Sequence, residues 1–128
     1  MFPPGYVLGT SHWEHLLRSA HCETWLLLDR KGELVAYLCI LLHQHWNCLI
    51  VLTLAVHPRA RRSGWGRWLL ERLIDRGRAE GGRAIRLEVS ELNKEGLILY
   101  ERLGFRVLSQ LTDYYGPDHH GQRRERAL

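Results

Sequence analysis

The segment from Cys48 to Glu80 constrains this chain most. Its first nine residues, Cys-Leu-Ile-Val-Leu-Thr-Leu-Ala-Val, are almost continuously apolar and rich in Leu, Ile and Val. That pattern fits a strand buried on both faces, in the middle of a sheet. His57-Pro58 ends it. A basic stretch from Arg59 to Arg67 follows and contains Gly64 and Gly66. A helix then runs to about Glu80, with Leu69, Leu70, Leu73, Ile74 and Gly77 on one face. Gly81-Gly82 stops it. A central strand that passes through a glycine-rich loop into a helix suits an anion in two ways. Glycines let the backbone approach a ligand closely. The N–H groups and dipole of a helix N-terminus bind phosphate. Arg61, Arg62 and Arg67 add cationic donors. Two other phosphate loops are excluded. No Gly-Lys-Ser/Thr follows, as a Walker loop requires. Position 69 is Leu, where a dinucleotide fingerprint has its third glycine.

The rest of the chain builds around this unit. Ser11 and Glu14 form a capping box for a short helix carrying Trp13, Leu16, Leu17 and Ala20 on one face. Thr24–Asp29 reads as a strand, residues 30–33 as a hairpin turn and Leu34–His45 as a long strand. Ala84–Ser90 alternates, with Ile85, Leu87 and Val89 on one face and Arg86 and Glu88 on the wet one. Asn93 caps a second helix, Lys94–Leu103, ended by Gly104. Phe105–Leu111 is a strand, Tyr114-Tyr115-Gly116-Pro117 begins a loop, and Gln122–Ala127 is a last short strand. The expected fold is α/β: a mixed, mostly antiparallel sheet with helices on both faces. At 128 residues, 45% hydrophobic and 25% charged, the chain is read as a single domain spanning residues 1–128.

Other classes drop out. The longest apolar runs, Leu34–Leu42 and Cys48–Leu52, fall far short of the roughly 20 residues of a membrane span. The first residues, Met-Phe-Pro-Pro-Gly-Tyr, lack the basic region and apolar core of a secretory signal. Cys22, Cys39 and Cys48 are odd in number and lack CxxC spacing, which argues for a reducing cytoplasm. His43 and His45 alternate, and His119-His120 is a pair, but no third ligand sits at sensible spacing, so no metal is expected. Net charge is +4 and sixteen of the 18 cations are Arg, which favours an anionic partner. The Arg59–Arg67 cluster and the Arg123-Arg124-Glu125-Arg126 tail could serve nucleic acid. Aromatics do not interleave with the basic run as base stacking needs, so no nucleic-acid partner is expected.

Arg61-Arg62-Ser63-Gly64-Trp65-Gly66 resembles the Arg/Gln-x-x-Gly-x-Gly/Ala signature of the GNAT superfamily of N-acetyltransferases. Leu-Ala-Val-His-Pro before it, Leu87-Glu88-Val89, Asn93 and Leu99-Tyr100-Glu101-Arg102-Leu103-Gly104-Phe105 resemble the family in order and spacing. Asp113-Tyr114-Tyr115-Gly116 resembles the subset that acetylates protein N-termini, typified by bacterial ribosomal-protein alanine acetyltransferases. The resemblance implies acetyl-CoA as cosubstrate and a primary amine as acceptor. It implies pyrophosphate on the loop N–H groups of Arg62, Ser63, Gly64, Trp65, Gly66 and Arg67, with Arg61 also binding the cofactor. It implies a pantetheine arm along Leu54, Ala55 and Val56, with the two central strands splayed apart. Asn93 touches the cofactor or simply caps its helix. Glu88 matches the proposed base, against an ordinary strand Glu paired with an Arg. Tyr100 matches the residue that protonates the leaving thiolate, against a core tyrosine. Tyr114 and Tyr115 line the acceptor groove or only pack a hairpin.

Two departures stand out. Gly96 sits inside a helix where relatives often carry Ala, at a cost of about 1 kcal/mol. Relatives also begin with a strand and a helix that this chain lacks, which would leave Thr24–Asp29 an open edge and invite a homodimer. The missing helix normally helps form the acceptor site, so a small-amine or lysine acetyltransferase and a weakly active acyl-CoA-binding module are the alternatives. Neither reading involves a membrane, and both place the chain in the cytoplasm.

Overall fold

The computed structural model describes residues 6–7, 21–43 and 46–128. Its elements are β1 (Tyr6–Val7), β2 (His21–Leu28), β3 (Leu34–His43), β4 (Cys48–Val56), a short 3-10 turn (Pro58–Ala60), α1 (Trp65–Ala79), β5 (Ala84–Ser90), α2 (Lys94–Arg102), β6 (Arg106–Gly116) and β7 (His119–Ala127). The strands form one sheet in the order β1-β2-β3-β4-β5-β7-β6. Among the described residues the single parallel pairing is β4 with β5. It is parallel because the α1 crossover returns the chain to the same end of the sheet.

The apolar run of β4 lies mid-sheet as expected. Its burial does not last: Cys48, Leu49 and Val51 are buried, yet Leu52 is 41% exposed. The physical reason is a bulge. Cys39 pairs with Thr53 and Ile40 with Val51, so Leu52 is an extra residue without a partner in β3. The insertion shifts the alternation. Leu49 and Val51 sit in the core, and beyond the bulge Leu54 and Val56 take over the face toward α1.

Both described helices pack on one face of the sheet. That face carries Leu49, Val51, Ile85, Leu87 and Val89, packed with Leu69, Leu70, Leu73, Ile74, Tyr100 and Phe105. Buried Arg124, cross-strand from Leu87, ties α2 to the same face by donating to Glu101 (2.6 Å) and to the Phe105 carbonyl (2.8 Å). Glu88 and Arg86 point to the other face, as the alternation predicts. On that other side of the sheet, Cys22, Thr24 and Cys39 are also buried. The expected helix around Ser11, with Trp13, Leu16, Leu17 and Ala20, lies outside the described residues, as does the His45 end of the strand read as Leu34–His45.

Three expectations need correction. The Thr24–Asp29 strand is not an open edge along its whole length, because Tyr6 and Val7 pair with Leu26 and Trp25. Tyr114, Tyr115 and Gly116 do not begin a loop. They belong to β6, which continues to a tight turn at Pro117-Asp118 closed by the Gly116–His119 pair. β7 correspondingly starts at His119 rather than Gln122. Asp113, at φ +56°, sits at a register break that lets the ribbon run this far. No helix among the described residues is long and apolar enough to cross a membrane.

Candidate active site

β4 and β5 pair only over their first halves, from Cys48–Ala84 to Val51–Leu87. Beyond the Leu52 bulge they part, and Leu52–Val56 faces Glu88–Ser90 across an opening. The backbone of β4 is divided there by alternation. His57 donates to the Val35 carbonyl at 2.7 Å, so the odd-numbered residues of this stretch are bonded to β3. The N–H groups of Leu54 and Val56 therefore point into the opening. The Val56 carbonyl confirms the direction, because it accepts from Arg61 Nε at 3.3 Å instead of from β3. Ala55 is spent on β3, so of the three expected β4 residues only Leu54 and Val56 offer backbone donors.

One rim of the opening is the loop into α1. Arg61 and Arg62 are exposed, and Arg62 (φ +65°) and Gly64 (φ +83°) take left-handed conformations on either side of Ser63. Gly64 is the N-cap of α1, with no side-chain cap and no acidic residue in the first turn. The first intrahelical bond runs from Trp68 N–H to Gly64 carbonyl (2.9 Å), so the Gly66 and Arg67 amides precede the helical ladder. A Cβ on Gly66 would lie 3.5 Å from Leu99, 3.6 Å from Val56 and 3.9 Å from Leu54. Gly66 thus keeps a methyl-sized space free between α1, β4 and α2. Arg67 pairs loosely with Glu71 (3.5 Å) and Arg62 with Glu95 (4.0 Å). Arg61 has no carboxylate partner among the described residues. Trp65 packs edge-on against Trp68.

The opposite rim comes from β5, α2, β6 and β7. Asn93 caps α2 by accepting from Gly96 N–H at 2.9 Å. Gly96 is what allows it: a Cβ there would stand 2.5 Å from Asn93 Nδ2. A side chain at 96 would therefore have to shift the capping amide. Tyr100 is 7% exposed and packs edge-on against Phe105. Its hydroxyl has no hydrogen-bond partner among the described residues. Burial, with a smaller contribution from Tyr115, pushes its pKa up to about 12, so it stays protonated at neutral pH.

Glu88 lies on the far face. Its Oε1 accepts from the Tyr114 hydroxyl at 2.6 Å, and its Oε2 accepts from Arg123 Nε (3.1 Å) and a terminal guanidinium nitrogen (2.5 Å). Burial alone would raise its pKa. The hydrogen bonds from Tyr114 and Arg123, with the Arg123 charge, outweigh burial and hold the carboxyl below the usual carboxylate range. The same bond pushes the Tyr114 phenol up. Tyr115 stacks edge-on against Tyr114 and rests where a Cβ on Gly121 would meet it at 2.5 Å. Glu88, Tyr114 and Tyr115 thus come together on one face of the sheet, Tyr100 lies in the core on the other, and Ala55 is turned toward β3. Asp113, Asp118 and His120 lie close together at the hairpin end, but they bond to one another and to the turn backbone. Two functional features escape sequence reasoning. Arg123 read only as part of a basic tail, and its role depends on a register that pairs it with Glu88. The Leu52 bulge had no signal within an unbroken apolar run.

A strand that splays beside a phosphate-type helix N-terminus defines the class. The chain belongs to the acetyltransferase (GNAT) family, whose model matches residues 2–105. Among individual relatives, the ribosomal protein bS18-alanine N-acetyltransferase of Escherichia coli (strain K12) is 40% identical over 65 residues, which is 51% of this chain and 44% of that protein. The match thus spans somewhat under half of that curated relative's length. The crystal structure of the ribosomal-protein-S18-alanine N-acetyltransferase from Escherichia coli has a TM-score of 0.79 at 23% identity, covering 97% of this chain and 81% of that one. The manganese complex of the spermidine/spermine N-acetyltransferase from Vibrio cholerae has a TM-score of 0.76 at 17% identity, covering 90% and 70%. Both structural likenesses concern the fold.

Proposed function

We propose that this chain transfers an acetyl group from acetyl-CoA to a primary amine, and that the amine is a protein or peptide N-terminus. The observation that carries the reading is the opening itself. Unspent amides of Leu54, Val56, Gly66 and Arg67 line one rim, and the buried, unpartnered Tyr100 hydroxyl lines the other. The cosubstrate fits these residues. Gly66 keeps a methyl-sized space free beside Leu54 and Val56, and Arg61, Arg62, Ser63, Gly64, Trp65 and Arg67 surround a site for its phosphates. Asn93 holds the α2 end of the opening.

Acetyl-CoA, when bound, supplies an acetyl group activated as a thioester. The Val56 N–H is the donor placed to polarise that carbonyl. Tyr100, neutral to about pH 12, is the acid that gives a proton to the departing sulfur. Glu88, ionised at neutral pH, is the carboxylate toward which the acceptor's proton moves through water. The acceptor must be a neutral amine to attack. An α-amino group with a pKa near 8 is about one-tenth neutral at pH 7, and a lysine near 10.4 is neutral in roughly one molecule per few thousand. That difference favours an N-terminus where the carboxylate is a weak base. Tyr114 and Tyr115, 51% and 43% exposed, flank its approach. Three unpaired, buried cysteines support a reducing cytoplasm as the setting.

Exposed Asp113 and Asp118 beside that approach favour a second reading, a small cationic amine as acceptor. An acetylation screen decides between them, using peptides of varied N-terminus beside free polyamines and lysine peptides. Transfer to peptide N-termini is expected. Preference for polyamines would replace the acceptor, and no transfer to any amine would overturn the reading.

A further inference from the structure

We infer that Arg123 is a positioning residue for Glu88. With Tyr114 it clamps both carboxylate oxygens, so that the carboxylate stays ionised and fixed toward the acceptor side of the opening. The inference rests on the proposed acetyl transfer and goes beyond it to a residue outside the motif. Glu88 and Arg123 are direct cross-strand partners on β5 and β7. Arg123 gives two hydrogen bonds to one oxygen, and the Tyr114 hydroxyl on β6 gives one to the other. Three bonds from two different strands leave the carboxylate no second rotamer that satisfies them. Other charges near Glu88 are engaged elsewhere. Arg86, on the same strand face, donates to Glu125 at 2.6 Å, and Glu91 accepts from Gln110 at 2.6 Å. Among the described residues Tyr115 on β6 and Tyr100 on α2 are also near it, and both are neutral phenols at working pH.

The clamp is a poor investment in stability alone. The two side chains are 41% and 32% exposed, and pairs in that setting contribute little. Its consequence is functional. An acceptor that arrives as an ammonium meets a fixed negative charge. The proton it sheds moves through water toward Glu88 and on to solvent, since a carboxylate is too weak a base to keep it at neutral pH. Without Arg123, burial would remain opposed by the Tyr114 hydrogen bond alone. The Glu88 pKa would rise, and protonation would silence the carboxylate at a higher pH.

The test is a carbon-13 NMR titration of the glutamate carboxylates, with Glu88 assigned by Glu88→Gln, run beside pH profiles of kcat/KM on an amino-terminal peptide. In Arg123→Met the Glu88 midpoint should rise by about one pH unit or more, and the acid limb of kcat/KM should rise with it. Tyr114→Phe should move both the same way. Arg123→Lys should return both most of the way toward the wild type. An unmoved Glu88 midpoint in folded Arg123→Met overturns the clamp. A moved midpoint with an unmoved acid limb overturns the positioning role. A wild-type chain that acetylates no amine overturns the proposed reaction and this role with it, and the titration shows whether the clamp itself exists.

Discussion

The two rims of the opening are built from different materials. The β4–α1 rim is mostly backbone: amides of Leu54, Val56, Gly66 and Arg67, two left-handed residues and the space at Gly66. The β5–α2–β6–β7 rim is mostly side chain: Tyr100, Glu88, Arg123, Tyr114 and Tyr115. A backbone rim can bind a phosphate ester tightly, because its donors are held by the sheet and the helix and need no ordering. It cannot exchange protons. The side-chain rim can, and two environments split its groups. Burial keeps Tyr100 protonated, and the Arg123–Tyr114 clamp keeps Glu88 ionised. On the proposed reading one rim holds the cosubstrate and the other moves protons, and variants of each rim should fail differently.

The largest effect belongs to the side-chain rim. Tyr100→Phe removes a single buried hydroxyl without removing volume. It should lower kcat by about 10²- to 10⁴-fold and leave acetyl-CoA affinity nearly intact. Steady-state kinetics beside equilibrium binding checks this, and an unchanged kcat would take Tyr100 out of the mechanism. Next comes Gly66→Val, which places methyl groups in the space between Leu54, Val56 and Leu99. Acetyl-CoA should bind at least about tenfold more weakly, measured by calorimetry on a chain shown to remain folded. The smallest effect tests the α2 cap. Gly96→Ala should by helix propensity stabilise by about 1 kcal/mol. Here it must displace the Asn93 amide, and losing a cap costs about 0.5–2 kcal/mol. Denaturant unfolding should show no gain or a net loss.

The same division explains what the sequence could reveal. Elements written in periodicity were legible: β4 matched its predicted span, α1 its apolar stripe, β5 its alternation and α2 its Asn93 cap. The loop into α1 was legible as well, because its glycines mark a turn before a helix. What was hidden depends on partners distant in sequence. The Leu52 bulge exists only against β3, and Ala55 faces away only because of the parity that bulge imposes. Arg123 meets Glu88 across 35 positions of chain. Tyr114 and Tyr115 were misplaced in a loop because Gly116-Pro117 reads as a turn start, whereas the ribbon continues to Gly116 with Asp113 absorbing the irregularity. Gly96 looked like a cost until the cap geometry showed what fills its missing side chain.

Thermal melting with and without acetyl-CoA tests the division of labour most directly, on wild type, Tyr100→Phe and Gly66→Val. At a hundredfold excess over Kd the ligand should add about 2.7 kcal/mol to the folded state, a rise of several degrees in Tm. The account predicts that rise in the wild type and in Tyr100→Phe, and its loss or sharp reduction in Gly66→Val. A rise that survives Gly66→Val but disappears in Tyr100→Phe, or no rise in the wild type at millimolar acetyl-CoA, would contradict it.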